Sequence, residues 1–242
     1  MIRLSLVIPA FNEEALLPRL LDTVDAARAR YTRGADAIEV IVADNGSTDR
    51  TAAIAAARGC QVAPVVRRVI AASRNGGAAR ATGDILCFVD ADMQIHPDTF
   101  NGVERALANP RIIGGATGAY MERMSAGLAV TYAMLVPFVW LTNMDTGVVF
   151  TRRKDFLAAG GYDERKAIAE DVHFLWKLTR LGWSRGQRLT RLRPLKAIAS
   201  TRKFDRYGDW HYVTTIPAVA ITSLIRRGRL SAFVTKYWYD DR

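Results

Sequence analysis

Apolar and polar residues follow two alternating periods along the first half of the chain. Leu4-Ser5-Leu6-Val7-Ile8, closed by Pro9, is a short apolar run that predicts a strand. From Glu13 to Arg30, Leu16, Leu17, Leu20, Leu21 and Val24 recur at helical spacing. Ile38 to Val42, rich in β-branched residues, predicts the next strand. It runs into Asp44-Asn45-Gly46-Ser47, a turn composition, and Thr48 then stands where it would cap a helix through Ala57. Gln61 to Val66 reads as a third strand. Ile85-Leu86-Cys87-Phe88-Val89, wholly apolar, reads as a fourth in the middle of a sheet. His96-Pro97 opens a helix to Asn109, and Ile112 to Ala119 returns to a strand.

Strands alternating with helices predict an α/β fold, a mostly parallel central sheet with helices on both faces. In such sheets ligands bind beyond the carboxyl ends of the strands, which singles out Pro9 to Glu13, Asp44 to Asp49 and Asp90 to Gln94. Beyond Ala119 the alternation weakens. Ser125 to Met144 carries no charge, but Pro137 and the polar Thr131, Tyr132, Thr142 and Asn143 favour a buried or interfacial helix over a membrane span. Gly147 to Thr151 predicts a short strand, Gly160-Gly161 a turn, and Glu170 to Leu181 an amphipathic helix. Tyr207 to Arg226 predicts a C-terminal helix interrupted by Pro217. No linker, repeat or low-complexity segment divides the chain, so residues 1–242 read as a single domain.

Composition narrows the setting. Half of the 242 residues are hydrophobic, enough for one well-cored domain. Cys60 and Cys87 are too few for a disulfide framework and wrongly spaced for zinc, and no secretory signal is read at the N-terminus. A reducing, cytoplasmic setting is expected. The formal net charge of +10 admits an anionic membrane surface or phosphate-rich small molecules, and equally a compositional bias of the source genome. The basic residues are mostly arginine, which suits phosphate because a guanidinium contacts two oxygens at once. With no nucleic-acid motif and no aromatics interleaved among the basic residues, no nucleic acid partner is expected.

Asp90 and Asp92 fall just past the fourth strand. In an extended chain such an i, i+2 pair projects from one face, and two adjacent carboxylates repel unless a cation joins them. Magnesium or manganese takes oxygen ligands, using one or two carboxylates while substrate phosphates fill the remaining positions. Gln94 adds a neutral oxygen on the same alternation; the competing reading is an exposed acidic turn that caps the next helix. Asp44, ending the second strand, is set to accept a hydrogen bond from a base N–H, with Pro9, Ala10 and Phe11 walling the ring. A plain turn aspartate is the even alternative.

Ser5-Leu6-Val7-Ile8-Pro9-Ala10-Phe11-Asn12-Glu13-Glu14, Val42-Ala43-Asp44-Asn45-Gly46-Ser47-Thr48-Asp49, and Ala81-Thr82-Gly83-Asp84 leading to Phe88-Val89-Asp90-Ala91-Asp92 together resemble the family 2 glycosyltransferases of the GT-A fold. The resemblance runs over residues 2–182. It implies a metal-dependent, inverting transfer of a sugar from a nucleoside-diphosphate sugar to an acceptor hydroxyl. It assigns Pro9, Ala10, Phe11, Glu13, Asp44, Asp90 and Ala91 to the nucleotide sugar, and Asp92, with Asp90 beside it, to Mg2+ or Mn2+. The run Asp90-Ala91-Asp92-Met93-Gln94 is also similar to the metal motif of polyprenyl-phosphate sugar synthases, which implies Gln94 as a further ligand.

Glu170-Asp171 matches the family's acidic pair. Transfer to a hydroxyl needs a base, for which Asp171 is the choice and Glu170 its support or an acceptor contact. Acids at a helix N-terminus are also favourable for the helix dipole alone, which is the competing reading. Asn75-Gly76-Gly77 resembles the family's glycine-containing loop, where backbone passes close to the nucleotide, against an ordinary turn. Arg202-Lys203 reads as a clamp for a diphosphate or an acidic acceptor, against a solvated surface role. His96, His173 and His211 have no metal-type spacing and read as structural or surface residues. The Gln/Arg-x-x-Arg-Trp motif of processive polysaccharide synthases is absent, which argues against a processive polymerase. Residues 1–119 are then the nucleotide-sugar-binding half and 120–242 the acceptor-binding half. A saccharide acceptor, as in cell-envelope polysaccharide, stands beside a lipid-linked one. For the latter a polyprenyl phosphate at the inner face of a membrane, with peripheral contact through Ser125 to Met144, is the alternative. The acidic pair favours the hydroxyl. A nucleotidyltransferase shares a related fold, but its glycine-rich N-terminal loop is replaced here by Pro9-Ala10-Phe11-Asn12-Glu13.

Overall fold

All seven residues of the first strand, β1 (Leu4–Ala10), are buried, because a neighbour pairs with it on each side and helices cover both of its faces. The computed structural model describes residues 1–142, 144–166, 169–210 and 213. His211, Pro217 and nearly all of the expected Tyr207–Arg226 helix lie outside the described residues. After β1 come α1 (Leu17–Ala29), β2 (Ile38–Asp44), α2 (Thr51–Ala57), β3 (Gln61–Pro64), α3 (Ile70–Arg80), β4 (Ile85–Phe88), β5 (Met93–Gln94), α4 (Thr99–Ala108) and β6 (Ile112–Ala116). β7 (Ala119–Met121), α5 (Ala126–Thr142), β8 (Val149–Arg152), α6 (Arg153–Ala158), α7 (Glu170–Trp183), β9 (Arg188–Arg191), β10 (Ala197–Ala199) and α8 (Arg202–Tyr207) follow.

The chain divides into two compact units, Met1–Tyr120 with Asn143–Ala199, and Met121–Thr142 with Ser200–Arg242. The first holds a seven-stranded sheet in the order β3-β2-β1-β4-β8-β6-β9, in which β8 alone runs against the others. The expected α/β fold with a mostly parallel sheet is therefore present. The chain builds outward from β1 through β2 to β3, then returns across β1 to lay down β4 on its other side. The carboxyl ends of β1 and β4 thus flank a topological switch point, where such sheets leave an open crevice.

Side-chain alternation supplies a core on each face. Leu4, Leu6 and Ile8 join Leu17, Leu20, Leu21 and Val24 of α1 and Phe100 and Val103 of α4. Val7, Ile41, Leu86 and Phe88 face the other way, against Ala71 and Ala78 of α3 and Phe174, Leu175 and Leu178 of α7.

Several expectations are corrected. β1 runs through Pro9 to Ala10 instead of closing before the proline. Val7 receives the Val89 N–H on the β4 side and Ala10 receives the Asn45 N–H on the β2 side, so the donor that Pro9 lacks would face β4 beyond its last paired residue. α1 starts at Leu17, not Glu13, with Pro18 in its first turn where a missing N–H costs nothing. Thr48 caps no helix; its N–H donates to Asn12 Oδ1, and Asp49 instead receives the Thr51 N–H at the start of α2. Ile112 to Ala119 is two strands, broken at Gly118, whose φ of 79° is a left-handed value.

The largest departure from expectation is α3. Asn75-Gly76-Gly77 is neither a turn nor a nucleotide-facing loop but the middle of this helix. The glycines are there because the helix lies hard on the sheet. A Cβ on Gly77 would stand 2.4 Å from Val7 Cγ1 and 3.3 Å from Ala43 Cβ, and one on Gly76 would stand 2.7 Å from Val65 Cγ2. Gly77→Ala is expected to lift α3 and to lower stability by about 1–3 kcal/mol, the usual cost of overpacking a stiff β-branched contact. Chemical denaturation measures it; an unchanged midpoint would refute the close packing.

In the second unit, Arg123 joins α8 and the segment after it to the segment before α5, contacting Asp205 of α8 at 2.6 Å and Asp209 at 2.7 Å. Gly127 in α5 has the Asp209 carbonyl oxygen 2.6 Å from where a Cβ would be, so only glycine fits. Pro137 lies inside α5, and Val130, Met134, Val136 and Leu141 on it are exposed. Among the described residues no helix is long and apolar enough to cross a membrane.

Candidate active site

The loops after β1 and β2 are bound to one another before any ligand is considered. Asn12 takes a left-handed φ of 51°, tolerable for asparagine, and donates its N–H to Ser47 Oγ. Its side-chain oxygen receives the Thr48 N–H at 2.8 Å. The Glu13 N–H donates to Thr51 Oγ1, the Glu14 N–H to Asp49 Oδ2, and Glu14 Oε2 receives the Arg50 N–H. Asn45, itself buried, donates to the Val65 and Arg67 carbonyls and so ties in the loop after β3. Exposed polar backbone is thereby satisfied between loops instead of by water.

This lattice fixes the residues expected to meet a nucleotide. Pro9 and Ala10 end β1 and Phe11 follows it, all three buried, and Arg68 lies over the Phe11 ring, its Cζ 5.0 Å from the centroid. Asp44 ends β2 half-buried, with Oδ1 receiving the Ser47 N–H at 3.3 Å, so it serves the turn whatever else it binds. Glu13 is only 1% exposed and anchors the loop, its carbonyl receiving the Leu16 and Leu17 N–H groups. Asn75 is corrected. Its side chain is spent on Tyr162, accepting the Tyr162 N–H at 2.9 Å and donating to the Tyr162 carbonyl at 3.0 Å. It braces that segment from within α3.

Asp90, Ala91 and Asp92 form a tight turn and not an extended run, closed by the Met93 N–H on the Asp90 carbonyl at 3.1 Å. The shared strand face expected for Asp90, Asp92 and Gln94 is therefore corrected. The two aspartates sit on a turn, and Gln94 follows in β5, paired with Ile198 of β10. Ala91 is buried while Asp90 and Asp92 are half-exposed.

The centre of the arrangement is a residue that sequence reading passed over. Arg74 of α3 has a side chain 2% exposed, and its guanidinium reaches Asp90 Oδ1 at 2.7 Å, Glu170 Oε1 at 2.7 Å and Asp171 Oδ1 at 2.9 Å. The guanidinium also lies 5.1 Å from the centroid of the Tyr162 ring. Tyr162 is held among Phe88, Phe156 and Phe174, stacked on the last at 4.4 Å, and donates its hydroxyl to Asp171 Oδ1 at 3.0 Å. Glu170 and Asp171 open α7, after Ala169 in a left-handed conformation. Both turn inward to Arg74, which the dipole reading alone does not require.

Electrostatics follow from these contacts. Burial works against the charge on Arg74, but Asp171, Asp90 and Glu170 outweigh it and hold the guanidinium firmly protonated. Asp171 is pushed up to about 7 by burial, partly countered by Arg74 and added to by Glu170 and Asp90. Burial also raises the Tyr162 phenol, so it stays a hydrogen-bond donor.

Among the described residues no group of three or more histidine, cysteine, aspartate or glutamate side chains converges as a ready metal site. The oxygen donors on the β4 turn still fit magnesium or manganese, which commonly take one or two carboxylates and complete their shell from phosphate. Three carboxylates around one guanidinium also leave surplus negative charge that a divalent cation would offset.

Comparison with known proteins agrees with the geometry. The sequence matches glycosyl transferase family 2 over residues 5–129, just over half of the chain. The chain belongs to this family of glycosyltransferases. It is 36% identical over 131 residues to validoxylamine A glucosyltransferase of Streptomyces hygroscopicus subsp. limoneus, covering 50% of this chain and 28% of that one. It is 36% identical over 123 residues to undecaprenyl-phosphate 4-deoxy-4-formamido-L-arabinose transferase of Pseudomonas paraeruginosa, covering 46% of this chain and 34% of that one. The family 2 chain thus spans about a third or less of the length of these curated relatives. Its fold superposes on the mannosyltransferase PcManGT of Pyrobaculum calidifontis, solved with GDP-Man and Mn2+, with a TM-score of 0.63 at 22% identity, over 81% of this chain and 56% of that one. The architecture is that of the GT-A glycosyltransferases.

Arg202 begins α8 in the second unit, its N–H on Ser200 Oγ at 3.1 Å. Arg74 had one signal in the sequence: it is the lone charge within Ile70–Ala79, among alanine, serine and glycine.

Proposed function

We propose that the chain carries out an inverting transfer of a sugar from a nucleoside-diphosphate sugar to an acceptor hydroxyl, with Mg2+ or Mn2+ as cofactor. The observation that carries this reading is the Arg74 cluster, in which one buried guanidinium bonds Asp90 on the donor side and the Glu170-Asp171 pair on the other. Asp44 and the Pro9–Phe11 wall take the nucleotide. Asp92, with Asp90 beside it, holds the metal. When bound, that ion would offset charge on the departing diphosphate. Asp171 is the base, poised near neutrality and oriented by Arg74 and the Tyr162 hydroxyl, so it is able to take the acceptor proton as the new bond forms.

Thermal denaturation with UDP, GDP, dTDP and CDP, each with and without manganese, tests the reading. One nucleotide is expected to stabilise the chain only with metal, by about 2.7 kcal/mol at a hundredfold excess over its dissociation constant. Asp92→Ala is expected to lose the metal-dependent part. Indifference to all four nucleotides sinks the reading.

A polyprenyl-phosphate acceptor at a membrane surface is the second reading. It is favoured by the exposed Val130, Met134, Val136 and Leu141 of α5 and by the net charge of +10. Such an acceptor is already ionised and needs little from a base, whereas two groups of the cluster, Arg74 and the Tyr162 hydroxyl, position Asp171. Flotation with anionic vesicles at low salt separates the two readings; absence of binding removes the second.

A further inference from the structure

A hollow of about 440 Å3 opens beside the Arg74 cluster, lined by Gly160 and the 162–165 segment on one side and by His173 and Lys177 of α7 on the other. Glu170, His173 and Lys177 are spaced i, i+3, i+7, so the stripe that meets Arg74 at its first position continues along this hollow. Tyr162 joins the two places, lining the hollow while its hydroxyl donates to Asp171.

The charges in the hollow are unequally matched. Asp163 is spent on the Arg165 guanidinium through both oxygens, at 3.0 and 3.1 Å. Glu164 is spent on Arg67 at 2.9 Å and on the Asn75 amide at 3.0 Å. Lys177 makes no ion pair with a carboxylate among the described residues, although Asp163 is near enough to favour its charge. Its ammonium donates only to the neutral carbonyls of Gly160, at 3.0 Å, and Gly161, at 2.6 Å. Those carbonyls stand where they do because both glycines are left-handed, at φ 70° and 56°, and a Cβ on Gly161 would lie 2.8 Å from Asn75 Oδ1. His173 Nδ1 is buried with no hydrogen-bond partner among the described residues. A cation fixed in place by carbonyls and a histidine whose Nδ1 has no partner among the described residues line one cavity, of a size that takes a small molecule.

We propose that this hollow binds the phosphate or carboxylate group of a soluble acceptor, which is therefore a small anionic hydroxyl compound. Only the word acceptor rests on the glycosyl-transfer reading; the anion site stands on Lys177 and His173 themselves. Burial pushes the Lys177 ammonium down, and an anion alongside restores it.

Inorganic phosphate is the probe, titrated by calorimetry against the whole chain at constant ionic strength made up with chloride. Wild type is expected to bind it, and Lys177→Gln and His173→Gln each to weaken it by about tenfold, as loss of one charge-assisted contact would. Their manganese-dependent response to nucleoside diphosphate should stay as in wild type, which also reports that they fold. No phosphate binding by wild type, or binding by both variants as tight as that of wild type, overturns the site. If no form responds to nucleotide while phosphate binding still falls in the variants, the anion site stands and the glycosyl-transfer reading fails. Phosphatidylcholine vesicles carrying phosphatidic acid separate a lipid headgroup from a soluble anion. Flotation should be the same for Lys177→Gln as for wild type, and its loss would overturn the soluble assignment.

Discussion

Replacing Arg74 with Met is expected to cost about 3–5 kcal/mol of stability, the usual price of stripping the partner from buried charges. Asp90, Glu170 and Asp171 all take their hydrogen bond or ion pair from this one guanidinium, and Arg74 is 2% exposed, so water does not substitute for it. The loss depends on pH in a definite direction. Without the cation the carboxylates take up protons more readily, so acid relieves the repulsion that alkali imposes. Urea denaturation should therefore show a larger loss at pH 8 than at pH 5. Equal losses at both would mean that the side chain matters for its volume and not its charge. Arg74→Lys retains charge but not the planar fork that reaches Asp90 and Glu170 at once, and is expected to recover only part of the stability.

The second large effect falls on Asp171. Asp171→Asn keeps shape and removes the base, so transfer is expected to fall by about 10²–10⁴-fold. The metal-dependent response to nucleotide should stay nearly intact. In wild type the active form is the carboxylate, and burial has raised its pKa to about 7. Activity is expected to rise with pH through 7 and level off above it, with the rise absent in Asp171→Asn. Stability has the opposite sign. The folded state binds this proton more tightly than the unfolded chain, whose carboxyl titrates near its ordinary value of 3.8. The stabilisation is therefore complete in acid and is lost as pH climbs towards 7. A pH–rate profile with a flat limb from 5 to 8, or full activity in Asp171→Asn, would remove Asp171 as the base.

Much of this was legible in the sequence because short-range pattern and fold agreed. The apolar run at 85–89 lies at the centre of the sheet, and the three strand ends singled out beforehand lie at its carboxyl edge. What escaped notice was set by long-range packing. Gly76 and Gly77 read as a break, since nothing local reveals that Val7 and Val65 press on the helix that contains them. With α3 unread, Arg74 had no element to stand on. Its partners lie 16, 96 and 97 positions away in sequence, beyond any spacing rule. Asp90 and Asp92 are brought together otherwise than an extended strand would bring them. Their closeness comes from a turn, and the extended alternation that suggested Gln94 stops at Val89.

The cross-linked loops after β1 and β2 bear on how this scaffold is to be re-engineered. Each loop completes the other's hydrogen bonds, through Asn12 with Ser47 and Thr48, Glu13 with Thr51, and Glu14 with Asp49 and Arg50. A chimera that imports one of them from a relative leaves donors and acceptors on both without partners. Grafting to change nucleotide preference therefore has to move residues 11–14 and 44–51 as a pair, and the two segments form one cassette despite the helix between them in sequence.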